Sequence, residues 1–319
     1  PDGTYSGIAF VDNRGVRVVL ALYALTGNQR YLQSALRWGE VTMARQRPDG
    51  GYRMGYGITS AGESCFVADG GEIAIAIARL ALDAPPRQRA RYRASLARYM
   101  AFRESFRCPE GGIGVGYSQT DFSVRPTVRL DEVRRIYAPE LNPYTIGCSL
   151  ASASAHAVLF GTAVERVQAI RDARWLLAHL GDAPSGATIE SLCWAHHLLP
   201  DASLRADIES ELRERLLARL CGSSSAWWLG SDGRHALNLD GLVYALHTFA
   251  PEPAVRAEAA RAVYAFAAEG SPWSVYSLRR EPEWRMADWI FLCYAGVGLA
   301  DAVRPGITLP RSINQKEDQ

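Results

Sequence analysis

The chain has 319 residues, 48% of them hydrophobic, which is ample apolar mass for one large domain or two smaller ones. Its 35 Lys and Arg against 34 Asp and Glu leave a net charge of +1, and the arginines are scattered. No field of that size recruits nucleic acid or an acidic membrane, so neither is expected as a partner.

Apolar residues recur at helical spacing along most of the chain and strand alternation is scarce. The spacing predicts helices over 14–27, 30–46, 70–83, 86–105, 146–160, 163–181, 187–199, 202–220, 238–249, 252–268 and 286–302. They pair through very short connections: TGNQ (26–29), DAPP (83–86), FGTA (160–163), LPDA (199–202) and APEP (250–253). Between pairs the connections are long and rich in Gly, aromatic and polar residues. First helices of a pair are apolar nearly all round, as in EIAIAIARLAL, whereas second helices carry a charged face, as in RQRARYRASLARYMAFRE. A helix that is apolar all round is buried and one with a charged face lies outside.

Buried and exposed helices in alternation, joined by short and long loops in alternation, describe a ring within a ring. The expected fold is therefore all-α, an (α/α)6 toroid over residues 1–303, followed by a polar tail over 304–319. Five pairs and a final inner-type helix are present; the missing outer helix would precede Pro1 or be replaced by the N-terminal segment. An open α-solenoid is the alternative. Two inter-pair loops echo each other, QRPDGGYRMGYG (46–57) and CPEGGIGVGYS (108–118), as duplicated hairpins would.

Cys65, Cys108, Cys148, Cys193, Cys221 and Cys293 are widely spaced, with no C-x-x-C pair and no Cys/His cluster. Neither a disulfide framework nor a zinc site is expected, and no metal or cofactor is assigned. No apolar run reaches the roughly 18–20 residues of a membrane span. No leader segment is evident, so the compartment is open with a cytoplasmic expectation.

In a toroid the inner-helix starts surround one mouth, and these starts carry Asp12, Asp69 with Glu72, Tyr144 with Thr145, Glu190, Asp240 and Asp288. Asp at such a position also caps the helix or complements its dipole. Several carboxylates around one cavity repel one another and separate in pKa, as general acid/base chemistry requires. The long loops add Tyr52, Tyr56, Tyr117, Trp227, Trp228 and Trp284, flat apolar rings suited to the CH faces of sugars. Arg53 and Arg285 have the fork geometry for a uronate carboxylate. Among the histidines only His235 falls on a mouth-side loop; His156 and His247 read as core residues. No H-E-x-x-H, G-x-S-x-G or phosphate-binding loop occurs.

This pattern resembles the six-hairpin toroid enzymes, namely the (α/α)6 glycoside hydrolases, polysaccharide lyases and sugar epimerases. Rim carboxylates serve the hydrolases of that group as general acid and as base or nucleophile. The resemblance implies those roles for Asp69, Asp12, Asp240, Asp288 and Glu72. The lyases use a Tyr or His to take the proton alpha to a uronate carboxylate, which implies Tyr117, Tyr144 or His235. QRPDGGY also resembles the Q-x-x-x-G-x-W repeat of terpenoid cyclase toroids, with Tyr for Trp, but the D-x-D-D acid motif is absent. The expected function is glycoside hydrolysis of an oligo- or polysaccharide, with uronic-acid-containing glycans among the candidate substrates. A lyase or epimerase, a terpenoid-cyclase-like toroid and a non-enzymatic helical scaffold are the alternatives. Asp69 is the leading catalytic candidate, because in FVADGGE its flanking Gly pair would let a substrate approach the backbone.

Overall fold

The first apolar segment folds as α1 (Ala9–Thr26) and the first amphipathic segment as α2 (Gln29–Ala44), in a computed structural model. It describes residues 9–53, 65–109, 111–114, 116–117, 141–180 and 186–213, with Gly3, Tyr5, Pro184, Ala300, Arg304 and Ile307. Asn28 starts α2 by accepting the Arg30 amide at 3.1 Å. Three more pairs follow: α3 (Val67–Asp83) with α4 (Pro86–Glu104), α5 (Leu141–Leu159) with α6 (Ala163–Ala178), and α7 (Gly186–Leu198) with α8 (Ala202–Leu212). Each second helix has its own start signal. Pro86 opens α4, a Thr162–Glu165 capping box opens α6, and the Asp201 carboxylate accepts the Leu204 amide at 2.8 Å to open α8. The described residues are thus all-α apart from two short strands, and no helix among them is long and apolar enough to cross a membrane.

The inner and outer assignment follows the sequence pattern. Every described residue of α7 from Gly186 to Ala195 is buried, and α3 is buried almost throughout. By contrast α4 buries Tyr92, Ser95, Leu96, Tyr99, Phe102 and Arg103, one stripe at helical spacing. Helix α1 packs on α3, α3 on α5 and α5 on α7, with each outer helix laid on its own partner. Small residues let the inner row close up. A methyl group on Gly71 would lie 2.6 Å from the Cys148 carbonyl oxygen, and one on Gly147 would lie 2.3 Å from Thr188 Oγ1. The row curves far enough for α1 and α7 to meet across its interior, where Arg17 donates to Glu190.

The echoed loops share one geometry. In 47–51 the Gly50 amide bonds to the Arg47 carbonyl at 2.9 Å and the Arg47 amide to the Gly51 carbonyl at 3.0 Å. In 108–112 the Gly111 amide bonds to the Cys108 carbonyl at 3.0 Å and the Cys108 amide to the Gly112 carbonyl at 2.7 Å. Each includes a proline, Pro48 or Pro109, and is closed by a glycine at φ +99° (Gly50) or +104° (Gly111). The second loop continues into β2 (Gly116–Tyr117), which pairs antiparallel with β1 (Cys65–Phe66), the two residues that lead into α3.

Helix bounds differ from expectation mainly at the inner starts: α1 begins at Ala9 rather than 14, α3 at Val67 rather than 70, and α5 at Leu141 rather than 146. The early residues (AFVDN, VAD, LNPYT) read as caps and loop because Asp, Asn and β-branched residues are poor helix formers; at Asp12, Asn13 and Val67 burial overrides that preference. Ile307, in the stretch marked by the sequence as a polar tail, is buried and its carbonyl accepts Arg79 Nη2 at 3.3 Å. The helices expected at 238–249, 252–268 and 286–302 lie outside the described residues.

Alanine at Gly50 or Gly111 places a side chain in left-handed backbone, at about 1–2 kcal/mol. A methyl group on Gly50 would also lie 2.1 Å from the Arg98 carbonyl oxygen, whereas on Gly111 it meets only the Trp175 ring edge at 2.9 Å. Urea unfolding is expected to show both variants destabilised, with Gly50→Ala the worse; a smaller loss at Gly50 would contradict this packing.

Candidate functional site

Helix α3 presents Asp69 in its first turn and Glu72 one turn deeper, on the same face. Asp69 does not cap the helix: the N-cap is Phe66, which contributes no side-chain bond. Glu72 is buried and its Oε2 lies 2.7 Å from Arg14 Nη1 of α1. The same guanidinium reaches towards α7, its Nη2 lying 3.9 Å from Glu190 Oε2. Glu190 Oε1 is held by Arg17, whose guanidinium also lies over the Trp194 ring, 5.8 Å from its centre. Two cations and two carboxylates, all buried, therefore face one another from three inner helices.

Asp69 stands beside this balanced set as an additional acid. It is half-buried, and among the described residues it accepts no hydrogen bond and forms no ion pair. Burial raises its pKa first and the Glu72 charge raises it further; Arg14 opposes both, and the result is about 7. Burial also raises the Glu72 carboxyl, with Arg14 pulling it back and Glu190 pushing it up. A carboxylic acid that keeps its proton near neutral pH is a proton donor in waiting. On α1 and α7, Asn13 Oδ1 and Trp194 Nε1 are buried without a hydrogen-bond partner among the described residues. One is an acceptor and the other a donor, groups that a polar ligand or an ordered water satisfies.

Other expected site residues fall elsewhere. Asp12 is fully buried and its Oδ2 accepts the Tyr5 amide at 3.0 Å, which fastens the N-terminal segment over the start of α1. Tyr52 is a correction: it is fully buried instead of lining the mouth, stacked on Tyr99 at 5.4 Å with its hydroxyl 2.7 Å from Ser95 Oγ. An aromatic ring beside a glycine turn fills core as readily as it lines a cleft. Arg53 Nη1 donates to the Arg45 carbonyl at 2.6 Å and closes the end of α2. The Gly70–Gly71 pair also has another reason than the expected substrate approach. A methyl group on Gly70 would lie 2.6 Å from the Tyr99 ring, so both glycines admit neighbouring helices. The backbone of Tyr117 lies in β2 and that of Tyr144 in α5, their side chains being outside the described residues. Tyr56, Trp227, Trp228, His235, Asp240, Trp284, Arg285 and Asp288 lie outside them as well.

Sequence reasoning named Glu190 as a rim residue but missed Arg14 and Arg17. Their signal was available: two arginines three apart at the head of the apolar segment RGVRVVLALYALTG have no reason to be buried except carboxylate partners. A second buried network was missed too. Arg103 donates to Ser149 Oγ at 2.9 Å and Asp172 Oδ2 at 2.6 Å, and Arg107 reaches Asp172 Oδ1 at 2.9 Å. Burial would raise the Asp172 carboxyl, but the two arginines outweigh it and hold it low, as suits an ion pair that clamps α4 to α6.

The Asp69 shift fixes a pH dependence. The folded carboxyl holds its proton up to about pH 7, the unfolded one only to about pH 4. Folding takes up a proton between those values, so stability present below pH 4 is lost as pH rises through 7. Asp69→Asn, neutral at every pH, is expected to match wild type near pH 4 and to melt higher at about pH 8. Thermal unfolding at the two pH values checks this; the same difference at both would contradict it.

Neither a protein-family model nor a curated protein matches this sequence, so its function is read from the geometry above.

Proposed function

We propose that the chain is a glycoside hydrolase built as an (α/α)6 toroid, with Asp69 as the acid that protonates the leaving glycosidic oxygen. One observation carries this reading: beside two buried cations already matched by Glu72 and Glu190, Asp69 is a half-buried carboxyl without an ion pair among the described residues, poised near pH 7. Negative charge on Glu72, which its pairing with Arg14 favours, raises the cost of a second negative charge and so favours the proton on Asp69. The proton passes to the departing oxygen as its bond to C1 breaks, and a second carboxylate activates water or attacks C1. Asp240 and Asp288, on the remaining predicted inner helices, are the candidates for that partner.

The toroid reading is supported by the curvature that joins α1 to α7 and by Ile307, which returns the end of the helical region to α3. The three further predicted helices would fill the gap between. Hydrolysis is favoured over elimination because an acid that keeps its proton near neutral pH is suited to protonating a leaving oxygen, whereas elimination begins with a base that takes a proton.

The test is a panel of neutral and uronate-bearing oligosaccharides with product analysis by mass. Cleavage is expected to add one water and to give no ultraviolet-absorbing product. Asp69→Asn is expected to lose about 10²–10⁴-fold in kcat, and wild-type kcat to fall as pH rises through about 7. An unsaturated product would replace hydrolysis by elimination; full activity of Asp69→Asn would remove Asp69 from the mechanism.

A further inference from the structure

Arg14 is shared. Its Nη1 serves Glu72 on α3 at 2.7 Å and its Nη2 leans to Glu190 on α7 at 3.9 Å. Glu190 in turn binds Arg17 with its other oxygen, so it is the acid that touches both α1 arginines among the described residues. A carboxylate needed only to neutralise Arg17 would have no cause to reach Arg14 as well. All four side chains are buried, so small displacements of one guanidinium are felt strongly by its neighbours.

We propose that Glu190 is a positioning residue for Asp69: by holding Arg14 and Arg17 towards α7, it limits how much positive charge reaches the acids of α3. This rests on the reading of Asp69 as a proton donor. The charges acting on Asp69 are Glu72 from its own helix and Arg14 from α1; Arg17 from α1 and Glu190 from α7 act on Glu72. Tyr99 of α4 and Cys148 of α5 pack on Gly70 and Gly71. Of these, Arg14 pulls the Asp69 proton off. Without the Glu190 charge, Arg14 turns wholly to α3, and Asp69 becomes the stronger acid.

Carbon-13 NMR titration of the Asp69 carboxyl in the whole chain reads this without substrate. In Glu190→Gln, with folding verified by circular dichroism, the midpoint is expected to fall by about one pH unit or more, and the alkaline loss of hydrolysis to move with it. Glu190→Asp keeps the charge but draws it back by one methylene, and is expected to give a smaller fall in the same direction; it also serves if Glu190→Gln does not fold. A midpoint unchanged from wild type in the folded variant overturns the proposal, because a merely structural Glu190 would lower stability and leave Asp69 where it was. A shifted midpoint in a protein that cleaves no oligosaccharide would sink the hydrolase reading and leave Glu190's role standing. An unmoved midpoint with hydrolysis intact would do the reverse.

Discussion

Two guanidinium groups and two carboxylates meet in the interior of the inner helical row, and the rest of the molecule is arranged around keeping them paired. Burying any one of them alone costs several kcal/mol, and breaking such a pair costs about 3–5 kcal/mol. The charges come from α1, α3 and α7, so the network exists only if the hairpins stack in one order and the row curves. Such a network adds little net stability compared with an apolar core, but it penalises any arrangement that separates its members. The small residues at the helix contacts serve the same end, because Gly71 and Gly147 let the inner helices approach closely enough for arginine side chains to span the interior.

Outside the row, a second layer of contacts keeps each hairpin in register with the next. Gln46 donates to the Gly50 and Ser95 carbonyls, both at 2.9 Å, and accepts the Ser95 hydroxyl at 2.8 Å. Tyr52 completes that staple from the turn's other side and stacks on Tyr99, whose hydroxyl donates to the Val67 carbonyl at 2.7 Å. The first glycine loop is thereby connected, through α4, to the turn that carries Asp69. Farther round, the Arg103–Asp172 pair ties α4 to α6 in the same manner. The position of Asp69 is thus set by contacts on both sides of α3.

Much of this was legible in the chain. The alternation of apolar and amphipathic segments marks inner and outer helices, because 3.6-residue periodicity reports burial directly. The glycine loops read as a repeat, and their shared hydrogen bonds bear that out. Asp69 was legible as an acid at the start of an inner helix, but its glycines admit a tyrosine ring and a neighbouring helix, and a Gly pair looks the same whether a substrate or a side chain approaches it. Tyr52 was misread because a loop sequence does not say which way its side chains turn. The Arg14–Glu72 and Arg17–Glu190 pairs join residues 58 and 173 apart in the chain, and no local pattern matches such partners. The inner-helix starts were misplaced because tertiary burial, not propensity, sets them.

What separates a structural acid from a chemical one here is the state of a single proton. If Asp69 were only a first-turn residue complementing the helix dipole, it would be ionised at neutral pH and stabilised by that end of the helix. Burial beside Glu72 works against the dipole, and the two influences predict different titrations. The most direct measurement is the carbon-13 titration of the Asp69 carboxyl in the wild-type protein. A midpoint at about 7 is the expected result; one in the ordinary aspartate range, about 4, would contradict it.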